Sequence, residues 1–198
     1  MPSPTFRCSL LIFVFVLSSS YFLAAQSTMP LPLGHVEQDT KSADVHELVS
    51  KYCRLDYEGA RLDGQGWAKV QPLVSWRTNP EYSEINVISR YTVDAEPTLN
   101  HGKYAVTVHY HLLGSYNLGT GYAREVPGSV QTVEYTVTDT NGDLRITDSE
   151  NGLPHASRAT MLKWLNEKLS STQDEQAKVR YEDALRQLQA QPASPFAK

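Results

Sequence analysis

Cysteine is nearly absent from this chain. Its 198 residues include only Cys8 and Cys53, so a disulfide framework is excluded and the fold must rest on a packed core. Cys53 sits in an apolar-periodic stretch, where a free thiol behaves as a small hydrophobe, so it is expected to be buried. Clusters of Lys and Arg are also lacking. Eighteen basic against 22 acidic residues leave a net charge of −4. Such a chain has little with which to neutralise phosphates, which argues against a nucleic-acid partner. Catalytic signatures are missing too. There is no G-x-S-x-G elbow and no H-E-x-x-H. The glycine stretch at 114–121 (GSYNLGTG) lacks the Lys-Ser/Thr of a phosphate loop and the spacing of a dinucleotide turn. It reads as an ordinary connection or a mobile loop. The DTNGD stretch at 139–143 lacks the length and final Glu of a calcium loop. No cofactor is expected, and no internal repeat is present.

Long apolar runs are confined to the start. A short segment with Arg7 is followed by apolar residues from Cys8 to Val16, broken at Ser9, then by Ser18-Ser19-Ser20 and by Ala24-Ala25. This is the pattern of a removable export signal over 1–25. The serine interruption argues against an uncleaved anchor, because a spanning helix needs about 20 predominantly apolar residues. The expectation is a secreted or periplasmic protein with no membrane span after cleavage. Loss of Arg7 takes the charge from −4 to −5. Residues 26–42, polar and proline-containing, read as a flexible lead-in. Residues 43–190 read as one domain, and 191–198 as a frayed tail.

Within that domain the clearest stretch is 103–114, KYAVTVHYHLLG. Tyr104, Val106, Val108, Tyr110 and Leu112 alternate with Ala105, Thr107, His109, His111 and Leu113. Period two with β-branched and aromatic residues marks a strand, with one apolar face and one mixed face. Further strands are predicted over 85–93, 129–138 and 144–148. The last two are joined by Asn141-Gly142, a pair that favours a two-residue hairpin because both positions need positive φ. Upstream, Val45, Leu48, Val49, Tyr52, Cys53 and Tyr57 recur at helical spacing and predict a helix over 43–57. Trp67, Val70, Leu73 and Val74 indicate a shorter helix or turn, disturbed by Pro72. Downstream, Ser157 is a good cap for a helix carrying Met161, Leu162, Leu165 and Leu169. Thr172 with Glu175 fits a capping box for a last helix. The order is α+β: an N-terminal helix on a curved antiparallel sheet, with additional C-terminal helices.

A helix running into D-Y-E-G-A-R-L at 56–62, Gly66-Trp67, and then long strands ending in a hairpin resembles the NTF2-like superfamily. That is the cone-shaped fold of ketosteroid isomerase and scytalone dehydratase, which has exported bacterial members. The resemblance covers about 43–148 and rests on element order. The C-terminal helices depart from the minimal pattern and could cover the sheet, close a pocket or form a dimer surface. The resemblance implies a conical cavity that binds a small apolar ligand or, in isomerase and dehydratase members, uses an Asp or an Asp–His pair. No motif matches residue by residue, so no catalytic residue is assigned.

The candidate cavity residues are Asp56, Tyr57, Tyr91, Thr107, His109, His111 and Tyr135. Asp56 offers a carboxylate and the tyrosines offer hydrogen-bond donors. His109 and His111 project from one strand face, but zinc needs at least three protein ligands. His101, Glu134 and Asp139 have no compelling spacing, so no metal is expected. Two functions follow: a non-enzymatic domain binding a small apolar ligand or a protein partner, or a lyase or isomerase acting from the cone. A homodimer through the sheet face is the partner form that the resemblance implies.

Overall fold

The computed structural model describes residues 33–126, 128–149 and 152–191. The leader expected over 1–25 and residues 192–198 of the tail lie outside them. Helix α1 spans Leu33–Tyr57. It begins well before residue 43, so part of the expected lead-in is helical. Residues 33–42 lack an apolar stripe, which hid them from a periodicity reading. Past Pro32, however, they contain good helix formers such as Glu37, Gln38 and Lys41. Lys41 ties this part of α1 to the sheet through a 2.8 Å ion pair with Asp139. The helix gives way to Gly59, whose φ of +85° only glycine adopts freely. Helix α2 (Gly64–Val70) follows, N-capped by the Asp63 side chain, and runs into a 3-10 turn over Gln71–Leu73 containing Pro72.

Seven strands follow: β1 (Glu84–Val93), β2 (Thr98–Asn100), β3 (Lys103–Asn117), β4 (Gly121–Arg124), β5 (Val130–Thr140), β6 (Asp143–Ser149) and β7 (His155–Ser157). Helices α3 (Arg158–Ser171) and α4 (Glu175–Ala190) end the described chain. The architecture is α+β: a curled half-barrel sheet, α1 against it, and two further helices at the C-terminus. The sheet order is β6-β5-β3-β1-β7, with β2 and β4 also paired to β3. Strand β3 is the spine. On one side it pairs with β1 along 108–117 and β2 along 103–105. On the other it pairs with β5 along 103–111 and β4 along 114–117. All these pairings are antiparallel. Strand β7 runs parallel to β1, from Asn86↔His155 to Ile88↔Ser157, so the sheet is mixed.

Local chemistry explains most of these boundaries. Asn141 and Gly142 have φ of 57° and 88° and close the β5–β6 hairpin. The Asp139 carboxylate accepts the Gly142 N–H at 2.7 Å. His101-Gly102, with φ of 49° and 76°, makes the same kind of turn between β2 and β3. The GSYNLGTG stretch is part of a β3–β4 hairpin. Ser157 caps α3 by accepting the Thr160 N–H. The cap of α4 is Asp174, which accepts from Gln176 and Ala177 N–H, while Thr172 closes α3 instead. A carboxylate beside a helix N-terminus also gains from the helix dipole.

Register shifts between Val87 and Arg90 on β1, and between Thr136 and Val137 on β5, mark bulges. Bulges bend a strand and increase its twist, and here they curl the sheet. Each face of the curled sheet supports its own core. Against α1 lie Ile88, Tyr104, Val106, Val108, Tyr110, Val133, Tyr135 and Val137, with Val45, Val49, Tyr52 and Cys53 of the helix. On the opposite face Ile85, Val87 and Tyr116 pack with Met161, Trp164 and Leu165 of α3 and Ala184, Leu185 and Leu188 of α4. Over residues 85–88, β1 side chains point alternately to the two sides: Ile85 and Val87 into the α3–α4 core, Asn86 and Ile88 to the α1 side, as pleating requires.

Candidate functional site

The α1 core carries an unusual load of buried polarity, and its parts come from five elements. Tyr52, Cys53 and Asp56 lie on the sheet-facing side of α1, because positions i, i+1 and i+4 share a helix face. Arg61 follows just after the helix. Asn86 comes from β1, Tyr110 from β3, Gln131 and Tyr135 from β5, and His155 from β7. Exposure is 1% for Asp56, 2% for Arg61 and 0% for His155. Charges are rarely buried this deeply without a partner.

The cluster has a hinge at His155. Its backbone N–H donates to Asp56 Oδ2 at 2.9 Å, and its ring Nδ1 lies 3.5 Å from the same oxygen. The ring stacks on Tyr110, with centroids 3.7 Å apart and planes 9° apart. Its Nε2 lies 3.0 Å from Gln131 Oε1 and 3.2 Å from Asn86 Nδ2. One tautomer donates to the first and the other accepts from the second. Asp56 Oδ1 and His155 Nδ1 have no hydrogen-bond partner among the described residues. Beside them the Tyr110 and Tyr135 hydroxyls bond at 2.7 Å, and Cys53 Sγ sits 3.2 Å from Tyr110. Burial raises the Tyr110 and Tyr135 hydroxyls well above the ordinary phenol range, with neighbouring ionisable groups adding to it. Burial pushes the Cys53 thiol up to about 12, opposed in part by its bond to Tyr110. All three remain neutral donors at physiological pH.

Arg61 is held on the other flank. It donates to Tyr52 Oη at 3.2 Å, to the carbonyls of Leu153 at 3.2 Å and Gly152 at 2.6 Å, and to Asn79 Oδ1 at 3.4 Å. All four acceptors are neutral. Burial works against its charge, but the Asp56 carboxylate and then the Tyr52 hydroxyl outweigh it, and the net direction is upward. The guanidinium stays charged.

The seven candidate residues divide between the two faces of the sheet. Asp56 and Tyr135 lie inside, in the cluster. Tyr57 and Tyr91 sit at its margin, ring against ring at 5.7 Å, with Tyr57 donating to the Ser89 carbonyl. Thr107, His109 and His111 lie on the other face, only partly buried. Tyr104, Val106, Val108 and Tyr110 occupy the inside of β3 in their place. Pleating requires that split: a strand that turns Tyr110 inward turns His109 and His111 outward. His109 bonds Thr132 Oγ1 at 3.0 Å and lies 3.3 Å from Asp94. Burial and then Arg90 lower the His111 pKa from its ordinary value. Among the described residues no three His, Cys, Asp or Glu side chains converge as a metal site needs, and no helix is long and apolar enough to cross a membrane.

His155, Arg61, Asn86 and Gln131 were not singled out by the sequence reading. Gly152 and Pro154 interrupt any pattern over residues 149–157. A strand of three residues is too short to show alternation. Arg61 fell inside the D-Y-E-G-A-R-L stretch, where an Arg beside glycines reads as surface.

Comparison with known proteins gives no match to a family model, a curated protein or a solved structure.

Proposed function

We propose that this chain is a non-enzymatic binding domain of NTF2-like kind that works at an envelope or outside the cell. Its working surface is the open half of the outer sheet face, and its partner is a second copy. One observation carries this reading. Helices α3 and α4 cover the Ile85–Val87–Tyr116 end of that face. The other end presents Thr107, His109 and His111 from β3 beside Val130, Thr132 and Glu134 from β5. Val130 is 48% exposed there. Both signs of charge occur on the patch, Arg90 on β1 and Glu134 on β5, so a copy facing its twin need not oppose like charges.

Strand spacing and rise over three strands and five residues make the patch roughly 250 Å² per copy. That is below the roughly 800 Å² per partner of a standard interface, so the self-association is weak. Sedimentation equilibrium across a wide concentration range should show a monomer shifting to a dimer. Val130→Asp together with Thr132→Arg should leave a monomer with unchanged circular dichroism. A native chain that stays monomeric up to its solubility limit overturns the reading.

The Asp56–His155 contact favours a second reading, an acid–base lyase or isomerase. It ranks lower because both side chains are sealed from solvent, and a general base must reach the proton it takes. Deuterium exchange at the α-carbon of a small cyclic ketone, faster with the protein and lost in Asp56→Asn, would place the enzyme reading first.

A further inference from the structure

Beside the buried cluster lies a cavity of about 190 Å³ that neither Asp56 nor His155 lines. Tyr52, Arg61, Trp76, Pro80, Asp148 and Gly152 are among the residues that border it. It stands apart from the outer sheet face and does not depend on the pairing argued above. Three features of its wall point the same way. Arg61 brings a full positive charge at 2% exposure, and among the described residues its hydrogen bonds go to neutral acceptors. The Tyr52 hydroxyl accepts from Arg61, and among the described residues its own proton goes to no acceptor. The Trp76 indole Nε1 is buried and has no partner there either. Buried donors without acceptors are uncommon in folded proteins and call for an explanation. The indole and phenol rings and Pro80 supply flat apolar walls. A dry cavity of about 150 Å³ accepts benzene, so this one has room for a ring bearing one small polar group. Among the described residues that border it, Asp148 is the negative group; it is exposed, where solvent and salt screen it.

We propose that this cavity binds a small organic monocarboxylate with a flat apolar body. Its carboxylate takes the free protons of Tyr52 and Trp76 and faces the Arg61 guanidinium. The apolar body lies between the rings. A bound carboxylate gives the buried cation a second anionic neighbour besides Asp56.

The probe is benzoate, titrated into the full chain while the Trp76 indole N–H resonance is followed. That signal is assigned by its loss in Trp76→Phe. Benzamide, the neutral analogue, and sodium chloride at matched ionic strength serve as controls. Benzoate should shift the resonance saturably, and benzamide should bind at least about tenfold more weakly. Tyr52→Phe and Trp76→Phe should each weaken benzoate by about tenfold or more, as expected for losing a hydrogen bond to a charged group. Trp76→Phe leaves Arg61 and its acceptors intact, so its binding, read through Tyr52, is informative even if Tyr52→Phe fails to fold. The proposal is overturned by no saturable shift with benzoate, by equal binding of benzamide, or by native affinity in Trp76→Phe.

Discussion

The two cores share the walls of β1 and β3 but are built on different terms. The α1 core holds Asp56, Arg61, Asn86 and His155 in full burial. The α3–α4 core is closed by aliphatic residues and by Tyr116, Trp164 and Tyr181, whose rings meet edge-on or offset at 5.8 to 6.3 Å. Among the described residues it also buries the Gln191 side chain, which bonds the Leu113 carbonyl and the Tyr122 hydroxyl, and the Tyr116 hydroxyl and Trp164 indole N–H, which have no partner. An apolar stripe holds a helix to a sheet by area, which is non-directional. Hydrogen bonds to a buried carboxylate fix position. The C-terminal helices therefore adhere by area, whereas α1 is set in register against β7 by a specific bond.

The sharpest way to break this contrast is Asp56→Ala. It removes the acceptor of the His155 N–H and the counter-charge felt by Arg61. Breaking one side of a buried charge arrangement costs about 3–5 kcal/mol, to be read from urea unfolding. Asp56→Asn keeps an acceptor and should cost less. Equal losses for the two variants would mean that the charge, rather than the bond, positions α1. Leu165→Ala tests the other core, where the side chain is fully buried. A cost of about 3 kcal/mol is expected from transfer and cavity terms. Unlike Asp56→Ala, it should leave the Cys53 thiol unreactive to alkylation in the folded chain, because that thiol lies on the far side of the sheet.

Smaller effects sharpen the picture at the helix starts. Asp174→Ala removes the acceptor for Gln176 and Ala177 N–H and should cost about 1 kcal/mol. Thr172→Ala should cost less, since Thr172 does not cap α4. The smallest effect concerns Lys41 and Asp139. The Lys41 hydrogen bond, and then the Gly142 N–H, hold the Asp139 carboxyl below the ordinary carboxylate value. A lowered folded pKa contributes stability above the unfolded value, which is lost as pH falls through the folded one. Lys41→Ala should move the Asp139 titration midpoint upward by NMR, and a midpoint that stays put would remove the tether from α1.

The parts legible in the sequence were those set by local rules. The alternation of β3, the Asn141-Gly142 hairpin and the Ser157 cap each depend on a few neighbouring residues. The inner and outer faces of β3 were also legible as sets, but not which set faced α1. Three things were hidden, each for a physical reason. Helical residues 33–42 carry no apolar stripe. Strands β2, β4 and β7 are too short to show a period. The polar cluster joins residues far apart along the chain, so no local window contains it. Two of its buried members, Arg61 and His155, belong to residue types that are usually more exposed.

The position of β7 has a consequence for the order in which the protein is completed. Asp56 waits 99 positions for His155, and Arg61 waits 91 positions for the Gly152 carbonyl. A growing chain that has reached the end of β6 holds α1 and six strands, yet its carboxylate and guanidinium still lack these acceptors and donors. Contacts of such high sequence separation form late, because loop closure must precede them. The last strand to emerge is therefore the one that seals the interior, and a chain shortened before residue 152 would carry an unsealed one.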